Sequence, residues 1–355
     1  MLLIRLILRG IRGRPGQSAV VLLLAAVAAA TAAATPAYVS AAQQSLLSDA
    51  FTFRPDIANG ARFETDAKDP ESGEIEKVFT SIESSIAANP DLDPLTDRHR
   101  FARAEVALPD VRYPASSRLM YREGLCGHID MVTGSCATEA GEVLISSRSA
   151  KAERLGVGDT VTAAIQHLAV PKTAKLTVAG IYEPRDPAAA HWGGQTPFRF
   201  GGVDSNEFYV DSLFTTAPEQ VAAAAGAVGL GVDYLTDEKK VRLDTAPAFR
   251  ASLLAYHKGR TVSKPGDGPA PVVRVQSTIA TTIEDAGTEQ DAVAASVPFV
   301  TVPVLLLSWF SLYLVVARLI EDRAPLLALA KLRGHGVAAV AGFGTGEAAV
   351  LIVAS

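Results

Sequence analysis

Cysteine is nearly missing from this chain of 355 residues, and its two thiols are too few for a disulfide-framed fold or a metal centre built from cysteine alone. No Gly-x-x-x-x-Gly-Lys-Ser/Thr run occurs, so the chain carries no phosphate-loop motor. The nearest glycine cluster, Gly342-Phe343-Gly344-Thr345-Gly346, lacks the lysine and the preceding strand that a phosphate cradle needs. His-Glu-x-x-His, Gly-x-Ser-x-Gly and Cys-x-x-Cys are absent as well. The six histidines are scattered along the sequence, so no signature of a zinc protease, serine hydrolase or thiol oxidoreductase is present, and no catalytic residue, metal ligand set or cofactor is assigned.

What the chain does have is long stretches without charge. Residues 19–39 carry only Thr31, Thr35 and the Tyr38 hydroxyl as polar side chains, and residues 297–317 include Leu305-Leu306-Leu307 and Leu312-Tyr313-Leu314-Val315-Val316. A helix rises about 1.5 Å per residue, so about 20 apolar residues cross the hydrocarbon, and each stretch is long enough. The first is mostly alanine and the weaker of the two, because alanine favours insertion less than leucine. The second has Trp309 and Tyr313 as amphipathic rings, with Pro298 and Pro303 expected in its first two turns, where a missing amide costs least.

Basic residues set the orientation. Arg5, Arg9, Arg12 and Arg14 precede the first stretch without an acid, and Arg318, Arg323, Lys331 and Arg333 follow the second against Glu321 and Asp322. Basic flanks stay inside the cell, which puts residues 41–293 outside. Of the 38 acids only Glu321, Asp322 and Glu347 lie beyond that segment, as do eight of the 33 basic residues, leaving it 35 acids against 25 bases. This acidic bulk, hidden in an overall net charge of −5, argues against a nucleic-acid partner.

A cleaved signal peptide is the other reading of the first stretch, with small-residue cleavage sites at Ala32-Ala33-Ala34 and Ser40-Ala41-Ala42. Against it stand the second span and a third apolar run from Val337 to Ser355, which make the chain polytopic. Glu347 in that run either faces protein or lies at the membrane boundary. Ahead of the first span, Leu2, Leu3, Leu6, Ile7 and Ile11 alternate with arginines as in a helix lying on the inner membrane surface.

Both cysteines, Cys126 and Cys136, fall in the outer segment, where a disulfide is the expected state. A metal site using Cys126, His128 and Cys136 is the alternative, lacking an evident fourth ligand. The segment mixes helix and strand. Ile75, Val78, Phe79, Ile82 and Ile86 recur at helical spacing until Pro90. Residues 142–146 read as a strand, 149–155 as a short helix, and 160–165 and 175–182 as strands. Residues 207–210 are strand-like, Thr216 and Glu219 cap an Ala-rich helix predicted to reach Val228, and 232–235 are strand-like again. Residues 247–258 read as helix, 263–271 as a loop, and 277–293 as a helix running into the second span. Trp192, Phe198, Phe200 and Phe208 sit among paired glycines, either packing on one another or meeting a lipid or peptide.

These motifs, in this order, carry a resemblance. The run Leu8-Arg9-Gly10-Ile11-Arg12-Gly13-Arg14-Pro15-Gly16 ahead of a span resembles the start of FtsX-like ABC transporter permeases, the macrolide-exporter and lipoprotein-releasing group. Glu142-Val143-Leu144-Ile145-Ser146, Leu155-Gly156-Val157-Gly158-Asp159-Thr160-Val161 and Val178-Ala179-Gly180-Ile181-Tyr182 are similar to the porter-like module of that family. After the second span, Arg323, Pro325, Leu327, Leu329, Lys331, Arg333 and Gly334 fit its cytoplasmic coupling segment, although Leu326 stands where the family commonly has an acid.

The resemblance implies an α-helical membrane protein with a large α+β extracytoplasmic domain, in the multi-pass plasma-membrane setting of that family. Its parts would be an interfacial helix at 1–17, a first span at 18–40, the domain at 41–293, a second span at 294–317, the coupling segment at 318–335 and an incomplete third span at 336–355. The family has at least a fourth span, so the chain is expected to be truncated. The implied partners are a separate cytoplasmic ATPase, a second permease half or second copy, and the lipid bilayer. The implied activity is export or mechanotransmission, with no catalysis in this chain. The alternative is a membrane-anchored binding or sensory protein regulating an envelope process without transport.

Overall fold

The computed structural model describes residues 15–52, 59–71, 73–112, 115–165, 172–204, 207–224, 227–262 and 270–321. The expected N-terminal interfacial helix up to residue 14, most of the 263–271 loop, the coupling segment from residue 322 onward and the third apolar run lie outside the described residues. The chain divides into a helical unit, Met1–Leu46 with Gly287–Ser355, and a sheet domain, Leu47–Ala286.

Two helices dominate the helical unit. Helix α1 is Pro15–Thr52 and helix α6 is Ile279–Glu321. Both are long and apolar enough to cross a membrane. At 38 and 43 residues they exceed the bilayer core, since about 20 residues suffice for it. Many apolar side chains in the long uncharged part of α6 stand outward, Phe299 being 82% exposed and Trp309 73%. The hydroxyls turn back on their own helices, Thr31 donating to the Val27 carbonyl at 2.8 Å and Thr35 to that of Thr31 at 2.7 Å. Because α6 begins at Ile279, Pro298 and Pro303 lie in its interior and not in its first two turns. A polar pair joins the two helices: the Gln290 side-chain amide donates to the Gln43 backbone carbonyl at 3.0 Å, and the Gln43 side-chain amide to the Gln290 backbone carbonyl at 3.4 Å.

The sheet domain opens with β1 (Gly60–Lys68), α2 (Glu74–Ala87), β2 (Leu95–Leu108), β3 (Ala115–Arg122) and β4 (Ile129–Gly134). A strand, helix, strand, strand unit follows: β5 (Glu142–Ser146), α3 (Ser147–Glu153), β6 (Thr160–Ile165) and β7 (Lys172–Pro184). Then come β8 (Gly201–Asp204), β9 (Glu207–Tyr209), β10 (Leu213–Thr215), α4 (Pro218–Ala224) and β11 (Ala227–Thr236). The domain closes with α5 (Ala246–His257), β12 (Arg260–Thr261), β13 (Val272–Ser277) and the start of α6. The Ala-rich helix α4 stops at Ala224, so Val228 lies in strand β11 and not at a helix end.

Strand β2 belongs to two layers. With β13, β1 and β11 it forms an open antiparallel sheet, and the pairings β2-β6-β7-β5-β10-β3-β2 close a ring. One face of the open sheet is apolar. Ala61 and Phe63 of β1, Leu230 and Val232 of β11 and Val273 of β13 are buried there with Phe79 of α2 and Phe249 of α5. The period-2 alternation places Arg62 and Glu64, Asp233, His99 and Gln276 on the opposite face. Gly231 lies on that face too, and a methyl group there would strike the Phe63 carbonyl and the Phe101 ring, at 2.6 Å from Cζ. Glycine is therefore what lets Phe101 lie flat across the sheet.

Candidate functional site

The polar face of the open sheet is built by register. Gln276, Arg62, Asp233 and His99 stand abreast on β13, β1, β11 and β2. Arg122, at the end of β3, pairs with Phe101 of β2 and so reaches the same face. The Arg62 Nε donates to Asp233 Oδ1 at 3.0 Å, and Arg122 Nη1 donates to Asp233 Oδ2. The remaining arms hold a loop against the sheet: Arg122 Nη2 donates to the His191 carbonyl and Arg62 Nη2 to that of Gly193. Gly193, at φ +57°, allows this approach, since a side chain there would collide with the Asp233 carboxylate. Arg62, Arg122 and Asp233 are all buried, at 8%, 1% and 5% exposure.

Three histidines close over this cluster. The His128 and His191 rings stack with centroids 3.6 Å apart and 7° between planes, and His99 meets His191 edge-on at 4.8 Å. Scattered in sequence, these histidines are not scattered in space, which corrects the expectation drawn from their spacing. His99, His128 and His191 converge because a β2 residue, the turn before β4 and the loop after β7 meet at Arg122. Burial and then the Arg122 charge pull the His191 pKa down to about 2. His99 is lowered first by burial and then by Arg122, and His128 first by burial and then by Arg185. All three are thus held neutral, and neither ring nitrogen of His191 has a hydrogen-bond partner among the described residues.

A cleft of about 410 Å³ opens beside the cluster. Its floor includes Arg62 and Asp233; Gln276, Thr278 and Gly194 at the mouth are exposed, and Ala190 and Leu235 form part of the wall.

Cys126 and Cys136 are joined in a disulfide, with Cα atoms 6.2 Å apart. That bond consumes both sulfurs and excludes the alternative of a Cys126, His128 and Cys136 metal site in this form of the chain. Among the described residues no cluster of His, Cys, Asp or Glu has the geometry to hold a metal ion. The loop it closes lies over a second core of Met120, Leu125, Ile129, Leu144, Tyr182 and Phe214. Trp192 and Phe198 pack on that core and on each other, their centroids 4.8 Å apart, while Phe200 pairs with Phe208. Of those four rings, Phe200 is the exposed one, at 39%. Reduction, or replacement of both cysteines by serine, is expected to cost about 3 kcal/mol in the chain-entropy account of a loop this short. A denaturation midpoint unmoved by reductant would contradict that.

The residues expected to couple to an ATPase, Arg323, Pro325, Leu327, Leu329, Lys331, Arg333 and Gly334, lie outside the described residues. Sequence reasoning misses the buried cluster, because Arg62 and Asp233 stand at the polar positions of alternating strands, where an exposed side chain is the default.

No family model and no curated protein matches the chain. Among solved structures it is similar to the periplasmic region of MacB from Actinobacillus actinomycetemcomitans, with a TM-score of 0.33 and 11% identity over 67% of this chain and 98% of that one. It is also similar to the extracellular domain of the noncanonic ABC-type transporter YknZ from Gram-positive bacteria, with a TM-score of 0.29 and 13% identity over 61% and 100%. At TM-scores this low, neither likeness bears on what this chain does.

Proposed function

We propose that the chain is the permease subunit of an ABC transporter, linking a separate cytoplasmic ATPase to the sheet domain on the outer side of the plasma membrane. The observation that carries this reading is the length of α1 and α6. Each combines a lipid-compatible stretch with further turns whose ends, Leu47 and Phe51 of α1 and Ile279 and Ile283 of α6, are buried in the core of the sheet domain. A helix that is both a span and a core element is suited to pass a displacement from one side of a membrane to the other. The order of the sequence motifs, the basic flanks and the paired cysteines support the same reading. The permease would work with a second copy or a second permease half, and the 318–335 segment would dock on the ATPase.

Replacing Lys331 and Arg333 by glutamate is expected to reduce capture of the partner phosphate-loop ATPase by at least about tenfold, since reversing two contact charges costs a few kcal/mol. Undiminished capture would remove the coupling segment from the proposal. The topology has its own test: an impermeant amine reagent applied to intact cells should modify lysines of the 41–293 segment and spare Lys331, and the reverse pattern would refute the orientation.

A further inference from the structure

The buried cluster on the polar sheet face is unbalanced in charge. Two guanidiniums, Arg62 and Arg122, share the single carboxylate of Asp233, so the trio carries one positive charge in excess. The carboxylates around it are engaged or solvated: Glu64 by Arg103 at 2.8 Å and by Gln276, Glu123 by the Arg98 guanidinium at 3.7 Å and the Arg100 amide at 3.1 Å, while the Asp97 carboxylate is exposed to solvent. A desolvated charge without its counter-charge is costly, so such a site favours an anion that completes it. The three histidines do not supply one, since an imidazole is neutral or cationic, and burial first and nearby guanidiniums second lower the pKa of all three.

The excess charge has an outlet. Arg62 lines the cleft, and with Nε and Nη2 taken by Asp233 and Gly193, its Nη1 has no hydrogen bond among the described residues. The cleft volume of about 410 Å³ is in the range of small-molecule sites. Its wall is mainly apolar, Ala190 and Leu235 line it together with Arg62, and its exposed mouth gives a ligand access from solvent.

We propose that this cleft binds a small organic carboxylate, its single negative charge on Arg62 and its apolar body against Ala190 and Leu235. A carboxylate matches the one-charge excess, whereas phosphate near neutral pH brings more charge than the trio can balance and leaves the apolar wall wet. The carboxylate could belong to a free small molecule or to the C-terminus of a peptide, and the shared chemistry is the anionic head with an aliphatic neighbour. The proposal does not rest on the permease reading, because it is tested by binding and not by capture of an ATPase.

The test is calorimetric titration of the full chain in detergent micelles with four probes: N-acetyl-leucine, its uncharged amide, N-acetyl-Ala-Ala-Leu with a free C-terminus, and inorganic phosphate. At least one carboxylate probe is expected to bind saturably, with the amide and phosphate at least about tenfold weaker, the worth of one charge-assisted hydrogen bond. Binding of N-acetyl-leucine alone identifies a free small carboxylate; binding of the tripeptide identifies a peptide terminus. Arg62→Gln should weaken binding by a similar factor. Ala190→Leu, which fills the cleft and leaves the guanidiniums untouched, should do the same, and it decides the matter if Arg62→Gln fails to fold. Wild-type chain that binds neither carboxylate, an amide that binds as well as the acid, or unchanged binding to Ala190→Leu would each overturn the proposal.

Discussion

Asp233→Ala is expected to destabilise the sheet domain by about 3–5 kcal/mol, the cost of leaving a buried charge without its partner. Asp233 is 5% exposed and is the carboxylate shared by Arg62 and Arg122, themselves 8% and 1% exposed. Its removal strands two guanidiniums side by side and frees the loop that their other arms hold through His191 and Gly193. The loss should show as a lower urea midpoint, followed by the fluorescence of Trp192, which is fully buried and lies within the stapled loop. A triple replacement, Arg62→Met, Arg122→Met and Asp233→Leu, should recover much of the stability, because a well-packed apolar cluster often equals a buried ion network. A loss below about 1 kcal/mol for Asp233→Ala would mean that water or another group neutralises the pair.

The second large effect is acid lability with histidine as its cause. Folded His191 takes its proton only near pH 2, whereas an unfolded histidine takes it near pH 6.5. Below pH 6.5 the unfolded chain therefore holds more protons than the folded one. The stability contributed by neutral His191 is whole above pH 6.5 and falls as the pH drops, by up to about 1.4 kcal/mol per pH unit, or about 2 kcal/mol by pH 5. His99 and His128 are shifted in the same direction and steepen the slope. The interval from pH 6.5 to 5 is the informative one, since most carboxylates stay ionised across it. Denaturation midpoints should fall over that interval in the wild-type chain and flatten in His191→Phe, whose ring can keep the stack on His128 without binding a proton. Equal slopes in the two proteins would assign the acid response to another group.

Helix periodicity is easy to read in this chain and strand periodicity is not. Ile75, Val78, Phe79, Ile82 and Ile86 announce α2, and all five are buried. The strand, helix, strand, strand unit from Glu142 is legible because Ser146 caps α3, its hydroxyl accepting from the Ser149 amide, and because Gly156 and Asp159 mark the turn. Strand β11 is hidden: Val228, Leu230, Val232 and Tyr234 alternate with Gly229, Gly231 and Asp233, but the preceding alanines extend the helical pattern across its start. Much of β2 is masked in the same way, since Ala102 and Ala104 are too small to make the alternation stand out. The polar cluster is beyond sequence reasoning for a different reason. Arg62, Arg122, His191 and Asp233 meet only through strand pairing between distant segments, and local pattern carries no information about which strands pair.

The reciprocal amide clasp between Gln43 and Gln290 has a bearing on how α1 and α6 could work as pistons. Sliding one helix by a single residue carries its glutamine about 1.5 Å along the axis and about 100° around it, which breaks both bonds at once. Each bond contributes about 0.5–1.5 kcal/mol, so the paired helices resist small axial creep and yield in a step. In the proposed permease such a latch would give the stroke a definite resting position and a threshold, set at these two side chains.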